Sequence, residues 1–283
     1  MKKPTEHVPG SCYTSAPIDC LHPELARHLH SAVAQSAHYD DSTKCYRFKK
    51  NGIYHTCGGV HKTLESIFYP HYKNNRSRRK SSVKVKGSSK AQGSRVDREI
   101  SGMVEGKHPK KMHPMTHKIL SYFKNNKERL QAAQVPVELT TNAVKLTQAD
   151  VITMDEKGRL ILYEIKTGAP VGFSRKQGVF QVAGFQDVPC TKKNIWQLQL
   201  AYTRMALVEA GIPIFKSYVL QIFDNKEEGL KLDLQIAAGW TKRLPKNPIR
   251  TKIAAPPSQR QKKILAVKKM AGKRKKPPSH FRK

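Results

Sequence analysis

Apolar and polar positions alternate most regularly between residues 91 and 240, first with helical and then with strand periodicity. Apolar residues three or four positions apart predict one helix over 96–105. The same spacing predicts a second helix over 115–133, with Phe123 and Leu130 on its apolar stripe. Two helices are therefore expected before the first strand.

Short runs of β-branched and aliphatic residues follow these helices, as is typical of strands. Between the strands, helical spacing predicts another helix over 194–210, ended by Gly211. The order of helix, strands, helix and strands predicts a mixed α/β domain over 91–240. The predicted strands span 135–139, 149–154, 159–167, 214–223 and 230–236.

The chain outside this domain is strongly basic. The whole sequence has 53 Lys and Arg against 21 Asp and Glu, a formal net charge of +32. Residues 241–283 hold 16 Lys and Arg, six prolines and no acid, so a disordered basic tail is expected there. Residues 1–90 are expected to form a His- and Cys-containing region of uncertain fold that ends in a basic linker over 73–90.

This charge imbalance predicts a polyanionic partner, and DNA is the one we expect. No run of about 18 apolar residues indicates a membrane span, and residues 1–10 have no apolar signal-peptide core. We therefore expect an intracellular protein, nuclear if it comes from a eukaryote or its virus. The basic cluster at 272–277 fits either a nuclear import signal or an additional phosphate contact.

The five cysteines are odd in number, widely spaced and without a CxxC pair, so the sequence implies no disulfide framework. Structural zinc sites usually have ligands two to four residues apart, and no two cysteines have that spacing here. Reduced thiols are the expected state, with a zinc site as the alternative.

One predicted hairpin carries the candidate chemistry. Residues 156–158 fit a three-residue loop with Gly158 in the left-handed position that such loops favour. Counting back from the loop in antiparallel register places Asp150 opposite Glu164. Lys166 shares a sheet face with Glu164, because side chains on a strand alternate with a period of two. Two carboxylates and one ammonium are therefore expected on one patch.

Two close carboxylates resist ionisation unless a cation accompanies them, and Mg²⁺ or Mn²⁺ is the hard divalent ion that oxygen ligands prefer. Such an ion beside Lys166 fits phosphodiester hydrolysis. The alternative is structural: Asp150 would cap a strand, and Glu164 with Lys166 would form a solvated row on an amphipathic strand.

Asp150, followed by the turn and the run YEIKTG at 163–168, resembles the PD-(D/E)xK nuclease superfamily, specifically its RecB-like exonuclease branch. The resemblance implies a restriction-endonuclease-like core, with a central mixed β-sheet flanked by helices. It also implies that Asp150, Glu164 and Lys166 are catalytic. Asp150, Glu164, the carbonyl of Ile165 and Glu138 would be metal ligands.

Upstream, residues 93–100 are similar to the first-helix motif of that branch. Many members have a histidine where this chain has Asp97, which the resemblance makes a further metal ligand, with Glu99 as its competitor. These departures suggest a divergent member, with a virus as one candidate source.

Downstream, residues 196–202 are similar to a helical motif in which a glutamine precedes a tyrosine by four residues. Here Gln197 stands five residues before Tyr202, and Gln199 three before it. The resemblance implies that these residues bind substrate. Arg175 and Lys176, just past the catalytic strand, are expected to contact phosphates. No iron–sulfur cluster is expected.

The sequence thus predicts a Mg²⁺- or Mn²⁺-dependent deoxyribonuclease, an exonuclease acting in recombination, repair or replication. One alternative is a catalytically silent basic protein that binds or packages nucleic acid. Another is a site-specific nuclease resembling restriction enzymes, which would give discrete products instead of progressive shortening.

Overall fold

The computed structural model describes a little more than half of the chain. We label the elements in chain order. The described residues are 21–40, 43, 45–60, 89–139, 145–168, 180, 185, 187–189, 191–225, 229–236 and 244. The helices are α1 Pro23–Leu29, α2 Ala32–Ser36, α3 Ser89–Val104, α4 Pro114–Asn125 and α5 Lys192–Glu209. The strands are β1 His38–Asp40, β2 Cys45–Lys50, β3 Ile53–Gly58, β4 Arg129–Leu139, β5 Lys145–Met154, β6 Leu160–Thr167, β7 Ile214–Asn225 and β8 Gly229–Ile236.

A five-stranded mixed sheet in the order β4-β5-β6-β7-β8 forms the centre of the fold. Neighbouring strands are antiparallel except for β6 and β7, which run parallel and are connected through α5. Every residue from Leu160 to Ile165 on β6 is buried, as expected for a strand covered on both faces. The predicted mixed α/β class is confirmed at this level.

The two faces of the sheet have separate apolar cores. On one face, Leu25 of α1 and Leu200 of α5 pack in the same cluster as Leu162 of β6. On the other face, α3 and α4 contribute Val96, Ile100, Met115, Ile119 and Phe123. The sheet is thus a middle layer between two helical layers, and burial of both faces fixes the register of its strands.

The N-terminal region contains a three-stranded antiparallel sheet that the sequence analysis did not predict. Its β2–β3 hairpin turns at Asn51 and Gly52, whose φ angles are 50° and 79°. Asn-Gly is the strongest short hairpin signal, because both residues tolerate positive φ. This sheet contacts the central one through a bridge between Gly59 and Leu146 and an ion pair of 2.8 Å between Lys50 and Glu138.

The helix predicted over 115–133 is wrong in its second half, since α4 ends at Asn125 and Leu130 lies in β4. Lys127 stops the helix by adopting a φ of 56°. The amide of Glu128 then donates to the carbonyl of Phe123, at 2.9 Å, the bond that closes a Schellman motif. Glycine usually occupies this position, so the sequence lacked the ordinary stop signal.

The remaining predicted elements of the domain are confirmed, with shifted bounds: α3, β4 and β5 begin earlier than predicted, β7 ends later, and β6 begins one residue later. The helix predicted over 194–210 is α5, and Gly211, at a φ of 84°, follows it as predicted. Leu244 is buried in the α5-side core, and the rest of the predicted tail at 241–283 lies outside the described residues. Among the described helices, none is long and apolar enough to cross a membrane.

Candidate acid and lysine site

The turn of the β5–β6 hairpin is built as the sequence predicts. Gly158 has a φ of 74°, and its amide donates to the carbonyl of Asp155 at 3.0 Å. The carboxylate of Asp155 accepts from the amides of Lys157 and Arg159, both at 2.9 Å. Above the turn, Met154 pairs with Leu160, which is the predicted register.

The hairpin opens into a fork at the candidate site. The pairing of β5 with β6 ends at Val151 and Tyr163, although β6 continues beside β7 as far as Thr167. At the opening, the amide of Ile165 donates to Oδ2 of Asp150 at 2.9 Å. The Asp150 carboxylate therefore accepts a hydrogen bond from the β6 backbone, and this bond holds the carboxylate between the two strands.

Glu164 and Lys166 lie on the other arm of the fork. Glu164 is 1% exposed, and its Oε1 accepts a hydrogen bond from Nζ of Lys166, whose side chain remains 22% exposed. Burial and the charge of Asp150 raise the pKa of Glu164, against the attraction of Lys166. Burial alone would lower the pKa of Lys166, but the Glu164 and Asp150 carboxylates raise it overall. Lys166 is consequently a protonated donor.

Asp97 approaches these groups from α3. One turn before it, a Cβ on Gly93 would lie 2.9 Å from the hydroxyl oxygen of Thr167, so glycine allows α3 to pack closely on the end of β6. Burial and the charge of Asp150 raise the pKa of Asp97 to about 7, while Lys166 opposes them. We call Asp97, Asp150, Glu164 and Lys166 the acid–lysine cluster.

Glu99, the competitor of Asp97, has a structural environment instead. Its carboxylate accepts from Arg95 at 2.7 Å, from the His113 amide at 2.8 Å and from the Thr116 hydroxyl at 2.7 Å. Burial alone would raise the pKa of Glu99, but these three donors bring it below its ordinary value. Glu99 therefore joins α3 to the start of α4.

Gln134, which the sequence analysis missed, lies opposite Asp150 on β4. Its φ of 52° is unusual for a residue other than glycine. The Gln134 carbonyl accepts from the Gln148 side chain at 3.0 Å, and its own side chain hydrogen bonds to Asp150. Ala133 and Val135 on either side pack in different cores, so the strand changes face here. A polar residue within the apolar run 132–137 was the available signal.

Tyr46, from the N-terminal sheet, is a second residue that was missed. Burial, the neighbouring Tyr39, and the charges of Asp150, Cys57 and Glu164 raise the pKa of Tyr46 to about 12. Nothing in the sequence connected Tyr46 to the hairpin, because about 100 residues separate them.

Other predicted site residues lie apart from this group. Glu138 is four residues further along β4 than Gln134, about 13 Å at the rise of a strand. Both carboxylate oxygens of Glu138 accept from Lys50, at 2.8 Å each. Tyr202 is fully buried in the α5-side core, where burial raises its pKa.

The remaining candidates are less informative. Gln197 and Gln199 are partly buried on α5, while Arg175 and Lys176 lie outside the described residues. Cys45 is a half-buried free thiol, and Cys57 is buried.

The carboxylate oxygens of the acid–lysine cluster are ligands that a hard cation prefers, although these side chains are not arranged around a common point. Asp97, Asp150 and Glu164 offer carboxylate oxygens whose pKa values are all raised, so a cation would relieve their mutual repulsion. Within the described part of the chain, however, no three His, Cys, Asp or Glu side chains stand close enough together to hold a metal ion.

Comparison with known proteins gives no family. No protein-family model matches the sequence, and no curated protein matches it. The site must accordingly be judged from its own geometry.

Proposed function

We propose that this chain is a metal-dependent nuclease that hydrolyses DNA phosphodiester bonds, most simply as an exonuclease. The observation that carries the proposal is the acid–lysine cluster at the open end of the β5–β6 hairpin. Asp150 is held there by the Ile165 amide, and Glu164 is held by Lys166. A chain with a formal charge of +32 supplies the attraction for a polyanionic substrate.

The order of the elements gives further support. Two helices, three antiparallel strands, a helix and a strand parallel to the third follow one another as α3 and α4, β4–β6, α5 and β7. This order, with Asp150 on the second strand and the 163–168 run on the third, agrees with the expected PD-(D/E)xK resemblance. We propose the restriction-endonuclease-like core on that basis.

In this proposal, Asp150 and Glu164 would hold Mg²⁺ or Mn²⁺ with the carbonyl of Ile165, and Asp97, which the charge of Asp150 influences, would be a fourth oxygen ligand. A divalent ion at such a site polarises phosphoryl oxygens and lowers the pKa of bound water. The carboxylates raise the pKa of Lys166, so the ammonium form is favoured beside them. This ammonium would donate a hydrogen bond to the attacking water or to a phosphate oxygen whose charge increases in the transition state.

A second candidate function is nucleic-acid binding without catalysis. Two observations favour it: Lys166 is hydrogen bonded to Glu164, and three ligands do not yet converge in the described residues. Such a protein would use the same basic surface and would need no ion. The two functions differ in cleavage and agree in salt-sensitive binding.

An end-labelled DNA assay separates the two. Single- and double-stranded substrates are incubated with the full chain and Mg²⁺ or Mn²⁺, with EDTA as the control. The nuclease proposal expects progressive shortening that EDTA abolishes, whereas discrete bands would indicate site-specific cleavage. Substrates that remain intact with both ions would favour the binding protein.

Two glutamates of the same hairpin provide a matched pair of variants. Glu164→Gln removes a buried charge of the acid–lysine cluster, and we expect at least about a 100-fold loss of cleavage rate. Glu156→Gln makes the same change at the turn, where the side chain is 64% exposed, and should leave the rate unchanged. Equal rates for the two variants would contradict the assignment of Glu164.

A further inference from the structure

Strands β4 and β5 both change face at one pair of polar residues, Gln134 and Asp150. These two residues face each other between two regular pairs of the ladder, Ala133 with Val151 and Val135 with Ala149. Side chains two positions apart on a strand ordinarily lie on the same face. Here the two residues that flank Gln134 pack in different cores, and so do the two that flank Asp150. The irregularity therefore involves both strands at the same position.

The change of face on β4 requires an unfavourable backbone conformation. Gln134 has a φ of 52°, in the left-handed region where a Cβ atom crowds the backbone. The side-chain amide of Gln148, on β5, donates to the Gln134 carbonyl at 3.0 Å and helps to hold this conformation. Such strain persists only where the surrounding structure enforces it, and it is concentrated at functional sites. Glycine would relieve the strain, but it would also remove the side chain.

The Asp150 carboxylate is held from both neighbouring strands. On the β6 side, the amide of Ile165 donates to its Oδ2 at 2.9 Å. On the β4 side, the Gln134 side chain hydrogen bonds to it, and Nε2 is the donor because an ionised carboxylate only accepts. Burial raises the pKa of Asp150, and the bond from Gln134 is one of the contacts that oppose this rise. Donors from two different strands restrict the rotation of the carboxylate.

We propose that Gln134 is a positioning residue, which orients the Asp150 carboxylate toward a divalent cation in the acid–lysine cluster. This inference rests on the proposed nuclease function and adds a residue that acts through Asp150. Groups that hydrogen bond to a metal ligand fix its orientation, and they are as much a part of a metal site as the ligands are. An amide suits this role, because it adds a donor beside the carboxylates of the cluster and no further negative charge.

Another glutamine of β4 supplies a matched control. Gln131 is 1% exposed, and its Oε1 accepts from the amide of His22 at 3.2 Å. That bond joins β4 to the start of α1, so the role of Gln131 is structural. Gln131→Ala should therefore lower the melting temperature and leave cation binding unchanged.

The test measures Mn²⁺ binding to the full chain, from the electron paramagnetic resonance signal of free Mn²⁺, and the melting temperature in EDTA. The relevant binding is the part that Asp150→Asn removes. We expect Gln134→Ala and Gln134→Gly to weaken it to the same extent, by about 10- to 100-fold. Gln134→Gly should nevertheless melt about 2–4 °C above Gln134→Ala, because glycine relieves the left-handed strain that alanine keeps.

The two readouts separate the positioning role from a structural one and from the nuclease proposal. Wild-type Mn²⁺ affinity in both Gln134 variants would overturn the positioning role and leave the nuclease proposal standing. A loss in Gln134→Ala that Gln134→Gly restores, or an equal loss in Gln131→Ala, would assign the effect to stability instead. Because neither readout requires cleavage, a wild type that leaves DNA intact but binds Mn²⁺ through Asp150 and Gln134 would refute the nuclease proposal alone. Mn²⁺ binding that does not depend on Asp150 would refute both.

Discussion

Replacing Asp97 by Asn should make the folded protein more stable at alkaline pH when no divalent ion is present. Burial and the charge of Asp150 raise the pKa of Asp97 from 3.8 to about 7. A raised carboxyl pKa means that the folded state keeps a proton that the unfolded chain has lost. The stability associated with that proton is complete below the unfolded pKa and is lost as the pH rises to about 7.

The magnitude follows from that shift. A difference of about three pKa units corresponds to about 4 kcal/mol, at about 1.4 kcal/mol per unit. Asp97 is partly exposed, so solvent screening reduces this cost to about 2 kcal/mol at pH 8. Asn has nearly the same shape as Asp and no charge, so Asp97→Asn should raise the free energy of unfolding at pH 8 by about 2 kcal/mol. For a domain of this size, the gain raises the melting temperature by about 4–8 °C.

The assay is thermal unfolding of the wild type and Asp97→Asn in EDTA, between pH 4 and pH 8.5. The two proteins should melt close together at pH 4 and diverge as the pH rises to about 7, the pKa of Asp97. Asp155→Asn is the control of opposite sign. Although burial alone would raise the pKa of Asp155, hydrogen bonds from Arg159 and Lys157 lower it overall, so this variant should lose stability at pH 8. An Asp97→Asn protein that melts at or below the wild-type temperature at pH 8 would refute the raised pKa of Asp97.

Three further predictions concern the same region. Gly158→Ala should destabilise the protein by about 1 kcal/mol in chemical denaturation, because the φ of 74° is unfavourable for alanine although a Cβ would meet nothing within 4 Å; an unchanged midpoint would contradict the turn geometry. Glu99→Gln should cost about 2 kcal/mol at pH 7 and less at pH 3, because the stabilisation by an acid of lowered pKa is lost as pH falls through that pKa; equal losses at both pH values would be inconsistent with a charged acceptor. Mg²⁺ binding should release protons and strengthen between pH 6 and pH 8.5, because the pKa values of Asp97 and Glu164 are raised. Calorimetry in two buffers of different ionisation enthalpy measures this release. A binding enthalpy that is the same in both buffers would show that the ion binds elsewhere.

The hairpin was predictable because its information is local. The loop at 156–158 fixes the register, and the observed pairing follows it as far as Val151 opposite Tyr163, one position short of Asp150 and Glu164. The N-terminal sheet was equally accessible through Asn51 and Gly52, whose signal the sequence analysis did not use. Where a turn sequence or a regular spacing of apolar residues determines an element, the sequence alone predicts that element.

The end of α4 and the surroundings of the site were not predictable in this way. Lys127 adopts a left-handed backbone conformation that is uncommon for lysine and that no sequence signal indicates. The helical spacing of apolar residues continues to Leu130, although the helix does not. Gln134 and Tyr46 reach Asp150 only through strand pairing and packing between distant segments. Such contacts depend on tertiary structure, and no local pattern of residues encodes them.

The central claim is that Asp150 acts in catalysis and not in holding DNA. It is tested by the single-turnover cleavage rate of Asp150→Asn, with DNA binding measured on the same samples. We predict that cleavage with Mg²⁺ falls at least about 100-fold while the dissociation constant changes by less than about threefold. A variant that cleaves at the wild-type rate, or that loses cleavage only in proportion to binding, would contradict the account.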